Sequence, residues 1–216
     1  MSELATYERG PKQAPVQSLV ILLHGLGADG HDLIDLAGYW GAQLPNTVFV
    51  APDAPEHCDM APMGRQWFSL QDWSLNAMEQ GAQKARTVLD DFIDGQLAKY
   101  GLEPEQCALM GFSQGAMMAL YTAPRRDDRL AGILSCSGLL LGGDALIDRS
   151  DDIQTMPVHL MHGEQDDLVP LQYFHDAWQT LETAGFPVSG RSIPGLGHGI
   201  DPEGINEGGE FLKRVL

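Results

Sequence analysis

Positive charge is scarce in this chain of 216 residues: 13 Lys and Arg stand against 30 Asp and Glu, a formal net charge of −17. Like charges repel, so neither a nucleic acid nor an anionic membrane surface is an expected partner. Cysteine is scarce as well. Cys58, Cys107 and Cys136 make an odd number without metal-ligand spacing. Cys107 and Cys136 lie in apolar strand-like runs, where buried thiols are expected, and a reducing, cytoplasmic setting fits that usage. Long apolar runs are missing: none approaches the roughly 20 residues that span a bilayer, so stable membrane insertion is not expected. Residues 1–9 lack the apolar stretch of a signal peptide.

What is present suits one soluble domain with a substantial core, at 44% hydrophobic and 20% charged residues. Leu19–Leu23, Thr47–Val50, Leu130–Leu134 and Val158–Met161 are short continuous apolar runs, as expected for strands covered on both faces. Between them, helical spacing predicts helices over Asp32–Leu44, Leu75–Tyr100, Gly115–Thr122 and Leu171–Ala184, with a closing helix over Gly208–Leu216. Val188–Ile193 alternates as a further strand, and an edge strand is compatible with residues 1–16. Strand and helix alternate, which predicts an α/β fold with a mostly parallel sheet and helices on both faces. Residues 52–74 are irregular: Pro52, Pro55, Pro62 and Gly64 punctuate a stretch holding Trp67, Phe68 and Trp73. A loop that long is expected to be a lid or a substrate-binding loop.

The chemistry centres on Gly111-Phe112-Ser113-Gln114-Gly115, which follows an apolar run and precedes a helical one. G-x-S-x-G in that context predicts a sharp strand-to-helix turn that holds the serine hydroxyl over a helix N-terminus. Alone, the pattern also fits a flexible Gly-Ser loop. A serine hydroxyl needs a base, histidine suits that task near neutral pH, and the histidine needs a carboxylate to fix its tautomer. Asp166 and His198 follow Ser113 in the chain order of such a triad, each in a loop at the end of a predicted strand. In open α/β sheets that is where ligands sit. Taken singly, His198 also reads as a surface histidine in a turn, and Asp166, between Glu164 and Asp167, as a solvated acid or a helix cap.

Together with Leu23-His24-Gly25-Leu26-Gly27, Arg65-Gln66-Trp67-Phe68, His162-Gly163-Glu164-Gln165-Asp166, Leu168-Val169-Pro170 and Gly197-His198, the serine motif resembles the carboxylesterase, lysophospholipase and acyl-protein thioesterase family of α/β-hydrolases. The matching motifs run from residue 19 to residue 200. The resemblance implies a triad of Ser113, Asp166 and His198, and an oxyanion hole made by the backbone N–H groups of Leu26 and Gln114. It also implies substrate contacts from Trp67 and the side chains of Leu26 and Leu168. The activity implied is hydrolysis of an ester or thioester with no metal or organic cofactor; the acidic surface disfavours anionic phospholipid interfaces, so small carboxylic esters of short to medium acyl chain are expected. Lysophospholipids and protein thioesters are alternative substrates, and a homodimer is compatible with the resemblance. Two positions depart from the family pattern: Ser69 stands where the family has Asp, leaving Asp72 as a substitute anchor, and Asp167 stands where the family has Pro after the acid.

Two other classes compete. Gly25-Leu26-Gly27-Ala28-Asp29-Gly30 matches G-x-G-x-x-G after a strand, with Asp53 placed as a ribose-binding acid would be, which describes an NAD-binding oxidoreductase. That reading leaves Ser113, Asp166 and His198 without a task. A non-catalytic, hydrolase-like ligand receptor would be expected to lack a triad member, and none is missing. His24 and His162 are expected to brace loops, His159 to sit in a strand, and His31, His57 and His175 to lie at the surface. Trp40 and Trp178 are expected in the core.

Overall fold

A computed structural model describes residues 4–11, 15–149 and 153–216. In chain order its elements are β1 (Thr6–Arg9), β2 (Ser18–Leu23), α1 (Gly30–Ile34), α2 (Leu36–Trp40), β3 (Thr47–Pro52), β4 (Glu56–His57), β5 (Arg65–Gln66) and α3 (Leu75–Tyr100). There follow β6 (Cys107–Phe112), α4 (Gln114–Thr122), β7 (Gly132–Cys136), α5 (Gly143–Asp148), β8 (Val158–Gly163), α6 (Gln172–Thr183), β9 (Val188–Ile193) and α7 (Pro202–Val215). Seven strands form one sheet in the order β1-β3-β2-β6-β7-β8-β9. All neighbours are parallel except β1, which pairs antiparallel with β3 at the edge.

The two-residue period of a strand decides which core each side chain enters. Leu19, Ile21 and Leu23 of β2 join one apolar cluster together with Leu109 of β6 and the inner stripe of α3. Val20 and Leu22 enter the opposite cluster, with Met110 of β6, Trp40 of α2 and Phe211 of α7. Both faces of the central strands are therefore dry, which is why the runs read as continuously apolar. Helix α3 has the predicted bounds because both ends carry stop signals. Ser74 Oγ accepts from the Ala77 N–H at one end, and Gly101 turns left-handed at φ 64° at the other. Among the described residues, no helix is long and apolar enough to cross a membrane.

Four elements differ from expectation. The helix expected over Asp32–Leu44 is two short helices meeting at Asp35, in a segment whose Gly38 and Gly41 weaken it by about 1 kcal/mol each. Helix α7 starts at Pro202, six residues ahead of the expected Gly208. Asp201 caps it by accepting from the Gly204 N–H at 2.7 Å, and Pro202 opens its first turn. Gly204, Gly208 and Gly209 hid that helix in the sequence; a Cβ on Gly209 would stand 2.8 Å from the Trp40 ring, so close packing accounts for the glycine there. Helix α5 buries only Leu146, too little for an apolar period to show. Inside residues 52–74, β4 and β5 form a two-stranded antiparallel pair, with Glu56 opposite Gln66 and His57 opposite Arg65.

Candidate active site

Ser113 joins β6 to α4 with φ 53° and ψ −118°, a conformation that L-residues rarely adopt. Holding a non-glycine residue there costs about 1–3 kcal/mol, which the packed surroundings must outweigh. The glycines of the motif show what enforces it. A Cβ on Gly111 would lie 2.3 Å from the Gly115 carbonyl oxygen, and one on Gly115 would lie 1.9 Å from that of Leu23. Only glycine lets α4 descend this closely onto β6 and β2. All nine residues of α4 are buried, so the turn sits on a rigid support, and its serine stands half-buried at the helix N-terminus.

Asp166 and His198 come from the loops after β8 and β9. His198 Nδ1 lies 2.7 Å from Asp166 Oδ2, and the imidazole packs against the Phe112 ring at 5.0 Å between centroids, one residue before the serine. Asp166 is buried. Its other oxygen accepts from the Leu168 and Val169 N–H groups at 3.0 and 2.8 Å. Burial pushes the Asp166 pKa up, but the Val169 N–H, the His198 contact and the Leu168 N–H outweigh it and hold the carboxyl below its ordinary value. An ionised acceptor at Nδ1 makes that nitrogen the donor and leaves Nε2 as the proton-accepting atom. Asp167 is exposed, so the choice between the two adjacent acids falls on Asp166. His162 braces the loop from beneath, donating from Nε2 to the Val169 carbonyl at 2.7 Å, with Asp166 Oδ2 3.4 Å away.

The loop after β2 reaches the serine from the other side: a Cβ on Gly25 would lie 3.3 Å from Ser113 Cβ. His24 fixes this loop, pairing Nδ1 with the Gly25 carbonyl at 2.7 Å and accepting the Ala54 N–H at Nε2 at 2.9 Å. Burial lowers the His24 pKa, in keeping with a neutral ring. The Gly27 N–H is spent on the Arg65 carbonyl at 2.9 Å and the Gly30 N–H on Asp53 Oδ1 at 2.9 Å. Two donors of the G-x-G-x-x-G loop and its acidic partner are thus engaged within the chain, where a dinucleotide site would need them free. The N–H groups of Leu26 and Gln114 have no acceptor among the described residues.

Of the three side chains implied as substrate contacts, Leu168 is 65% exposed and Leu26 is half-buried, whereas Trp67 is 1% exposed. Trp67 lies under the loop and donates from Nε1 to the His24 carbonyl at 3.0 Å. Ser69, at the family's Asp position, donates its hydroxyl to Asp59 Oδ2 at 2.5 Å, and Asp59 also accepts from Gln66 Nε2 at 3.1 Å. The loop anchor is therefore Asp59. Asp72 instead accepts the Ser74 N–H at 2.8 Å at the start of α3. Sequence spacing does not reveal Asp59, which lies ten positions before Ser69 with a turn and β5 between them.

The sheet order, the serine turn and the adjoining His–Asp pair are those of an α/β-hydrolase. The family described as Phospholipase/Carboxylesterase matches residues 9–216, and the chain belongs to it. Among curated relatives, an acyl-protein thioesterase 1 from Kluyveromyces lactis is 30% identical over 95% of each chain. One from Gibberella zeae is 28% identical over 95% of this chain and 94% of its own. Among solved structures, esterase PE8 superposes with a TM-score of 0.93 at 38% identity over the whole of both chains. Acyl-protein thioesterase 2 of Zea mays superposes with a TM-score of 0.73 at 25% identity, over 98% of this chain and 99% of its own.

Proposed function

We propose that this chain is a serine carboxylesterase that cleaves small esters of short to medium acyl chain. The observation that carries the reading is the 2.7 Å His198–Asp166 contact beside a serine held at positive φ on a helix N-terminus. In the proposed reaction Ser113 Oγ attacks the ester carbonyl while His198 Nε2 takes its proton. The carbonyl oxygen, now negative, is met by the N–H groups of Leu26 and Gln114. The imidazolium, stabilised by Asp166, then protonates the departing alkoxide, leaving an acyl-enzyme on Ser113. Water repeats the sequence, releasing the acid and restoring the hydroxyl. Each such oxyanion donor typically lowers the barrier by about 3 kcal/mol.

Buried Trp67 and Phe68 support the preference for shorter chains: their rings fill apolar volume beneath the loop, leaving Leu26 and Leu168 as open apolar contacts near the triad. The relatives named acyl-protein thioesterase favour thioesters as a second substrate class. Fluorophosphonate labelling mapped by mass spectrometry, with Ser113→Ala alongside, tests the nucleophile: an adduct at Ser113 is expected, and none on folded protein would refute it. Turnover of p-nitrophenyl esters from acetyl to palmitoyl, set against matched thioesters, tests the substrate class. Rates that climb steadily to palmitoyl would overturn the chain-length preference.

A further inference from the structure

The Gln114 side chain is fully buried, and both ends of its amide are spent on one short segment. Oε1 accepts the Trp67 N–H at 2.9 Å, and Nε2 donates to the Phe68 carbonyl at 2.8 Å. The same segment is tied to the other side of the site. The Arg65 carbonyl takes the Gly27 N–H at 2.9 Å, the Arg65 N–H reaches the Ala28 carbonyl at 2.8 Å, and Trp67 Nε1 reaches the His24 carbonyl at 3.0 Å. Arg65 itself is fixed by its guanidinium, which donates to the carbonyls of Ala54 and Pro55, both at 2.8 Å, at the end of β3. Four residues, Arg65 to Phe68, thus make three hydrogen bonds to the loop that carries Leu26 and two to the side chain of Gln114.

We infer that residues 65–68 set the spacing between the two oxyanion donors, with the Gln114 amide and the Trp67 indole as positioning residues. The inference rests on the oxyanion roles proposed above for Leu26 and Gln114. Those donors lie on different elements, the loop after β2 and the first turn of α4, with no direct hydrogen bond between that loop and that turn among the described residues. A rigid bridge is what would keep both N–H groups aimed at one oxygen, and the Trp67 indole bond on one side and both Gln114 amide bonds on the other are buried from competing water. The geometry matters most in the transition state, where the carbonyl oxygen bears charge. Displacing one donor by about 1 Å costs on the order of 100-fold in rate, and substrate binding, which depends little on that oxygen, is largely spared.

The test compares Gln114→Met, which is close in shape and lacks both hydrogen bonds, with Trp67→Phe, which keeps an aromatic ring and removes the Nε1 donor. With a short p-nitrophenyl ester, kcat is expected to fall about 10- to 100-fold in each, with KM within about threefold. Affinity for an alkylboronic acid, which forms a tetrahedral adduct on the serine, should fall by the same factor as kcat/KM. The pH midpoint of kcat/KM should not move, because the bridge does not touch His198. Circular dichroism identifies the folded variants, and Trp67→Phe carries the test if Gln114→Met does not fold. A folded variant with wild-type kcat, or one whose whole loss lies in KM, would overturn the inference. An unlabelled Ser113 in the wild type would sink the esterase reading instead, so the two failures are distinguishable.

Discussion

Among the described residues, two clusters bring a serine, a histidine and an acid into one neighbourhood. At the C-terminal ends of the parallel strands stand Ser113, His198 and Asp166. Near the other end of the sheet, His159 Nδ1 lies 2.9 Å from Ser189 Oγ, and its Nε2 lies 3.2 Å from Glu207 Oε1. In each a histidine nitrogen lies within 3.2 Å of a carboxylate, yet the settings differ. Ser189 and His159 face each other across regular β8–β9 pairing, and Glu207 is also held by Arg191 Nε at 2.7 Å. Ser189 lies inside regular β9 pairing and not at a strand-to-helix turn. The comparison teaches that grouping a serine, a histidine and an acid does not by itself mark catalysis: His159 Nδ1 meets Ser189 inside the sheet, while its buried Nε2 has no hydrogen-bond partner there. The strain at Ser113, the glycines that enforce it and the donors beside it are what turn such a contact into a candidate for catalysis.

Removing the two serine hydroxyls separates the two clusters most sharply. Ser113→Ala should reduce ester turnover by about 10⁴-fold or more, while Ser189→Ala stays within about twofold, measured on the same substrate. If the second variant were the inactive one, the comparison would be reversed. The acids come next. Asp166→Asn should lower kcat by about 10³- to 10⁴-fold by removing the carboxylate that fixes the His198 tautomer, whereas Asp167→Asn, at an exposed position, should change it less than threefold.

Stability should move in the opposite direction at the nucleophile. Ser113→Gly relieves the positive φ, and chemical denaturation should show a gain of about 1 kcal/mol alongside the lost activity. A serine held there without strain would show no gain.

The second cluster has its own pH signature. Burial holds the His159 pKa below its ordinary value against the pull of Glu207, and burial does the same for His24 and His162. A histidine titrates near about 6.5 in the unfolded chain, so the unfolded state binds more protons just below that pH. The stability contributed by these neutral rings is complete above pH 6.5 or so and is lost as the pH falls through the lower folded values. Urea melts between pH 5 and 8 should show that slope, and His159→Gln should flatten it without shifting the pH profile of ester turnover. The smallest expected effect concerns thiols: burial pushes Cys107 and Cys136 up to about 12, so a thiol reagent should leave both unmodified until the protein is unfolded.

Legibility followed how local the cause was. The serine turn is readable because its glycines, apolar strand and helix are contiguous, and α3 because one long apolar stripe runs up to a terminal glycine. Asp166 and His198 were readable as candidates from chain order and from the family resemblance, but only the structure shows the imidazole meeting Asp166 and not its neighbour Asp167. Helix α7 was half-read, although Asp201-Pro202 announces its start, because its glycines serve Trp40 and Leu134 rather than the helix. The Asp59 anchor and the second Ser–His–acid cluster were not legible at all. Each depends on residues that approach one another across irregular chain or between separate elements.

By itself, the sequence determined the alternation of dry strands and amphipathic helices, the sharp serine turn and the excess of negative charge, since each follows from neighbours along the chain. Tertiary structure alone decided which acid holds His198, that Trp67 is a buried brace, and that residues 65–68 link the loop bearing Leu26 to the Gln114 side chain at the start of α4. Those outcomes rest on hydrogen bonds between segments distant in sequence. Their partners are selected when the sheet brings its strand ends together and excludes the water that would otherwise satisfy them.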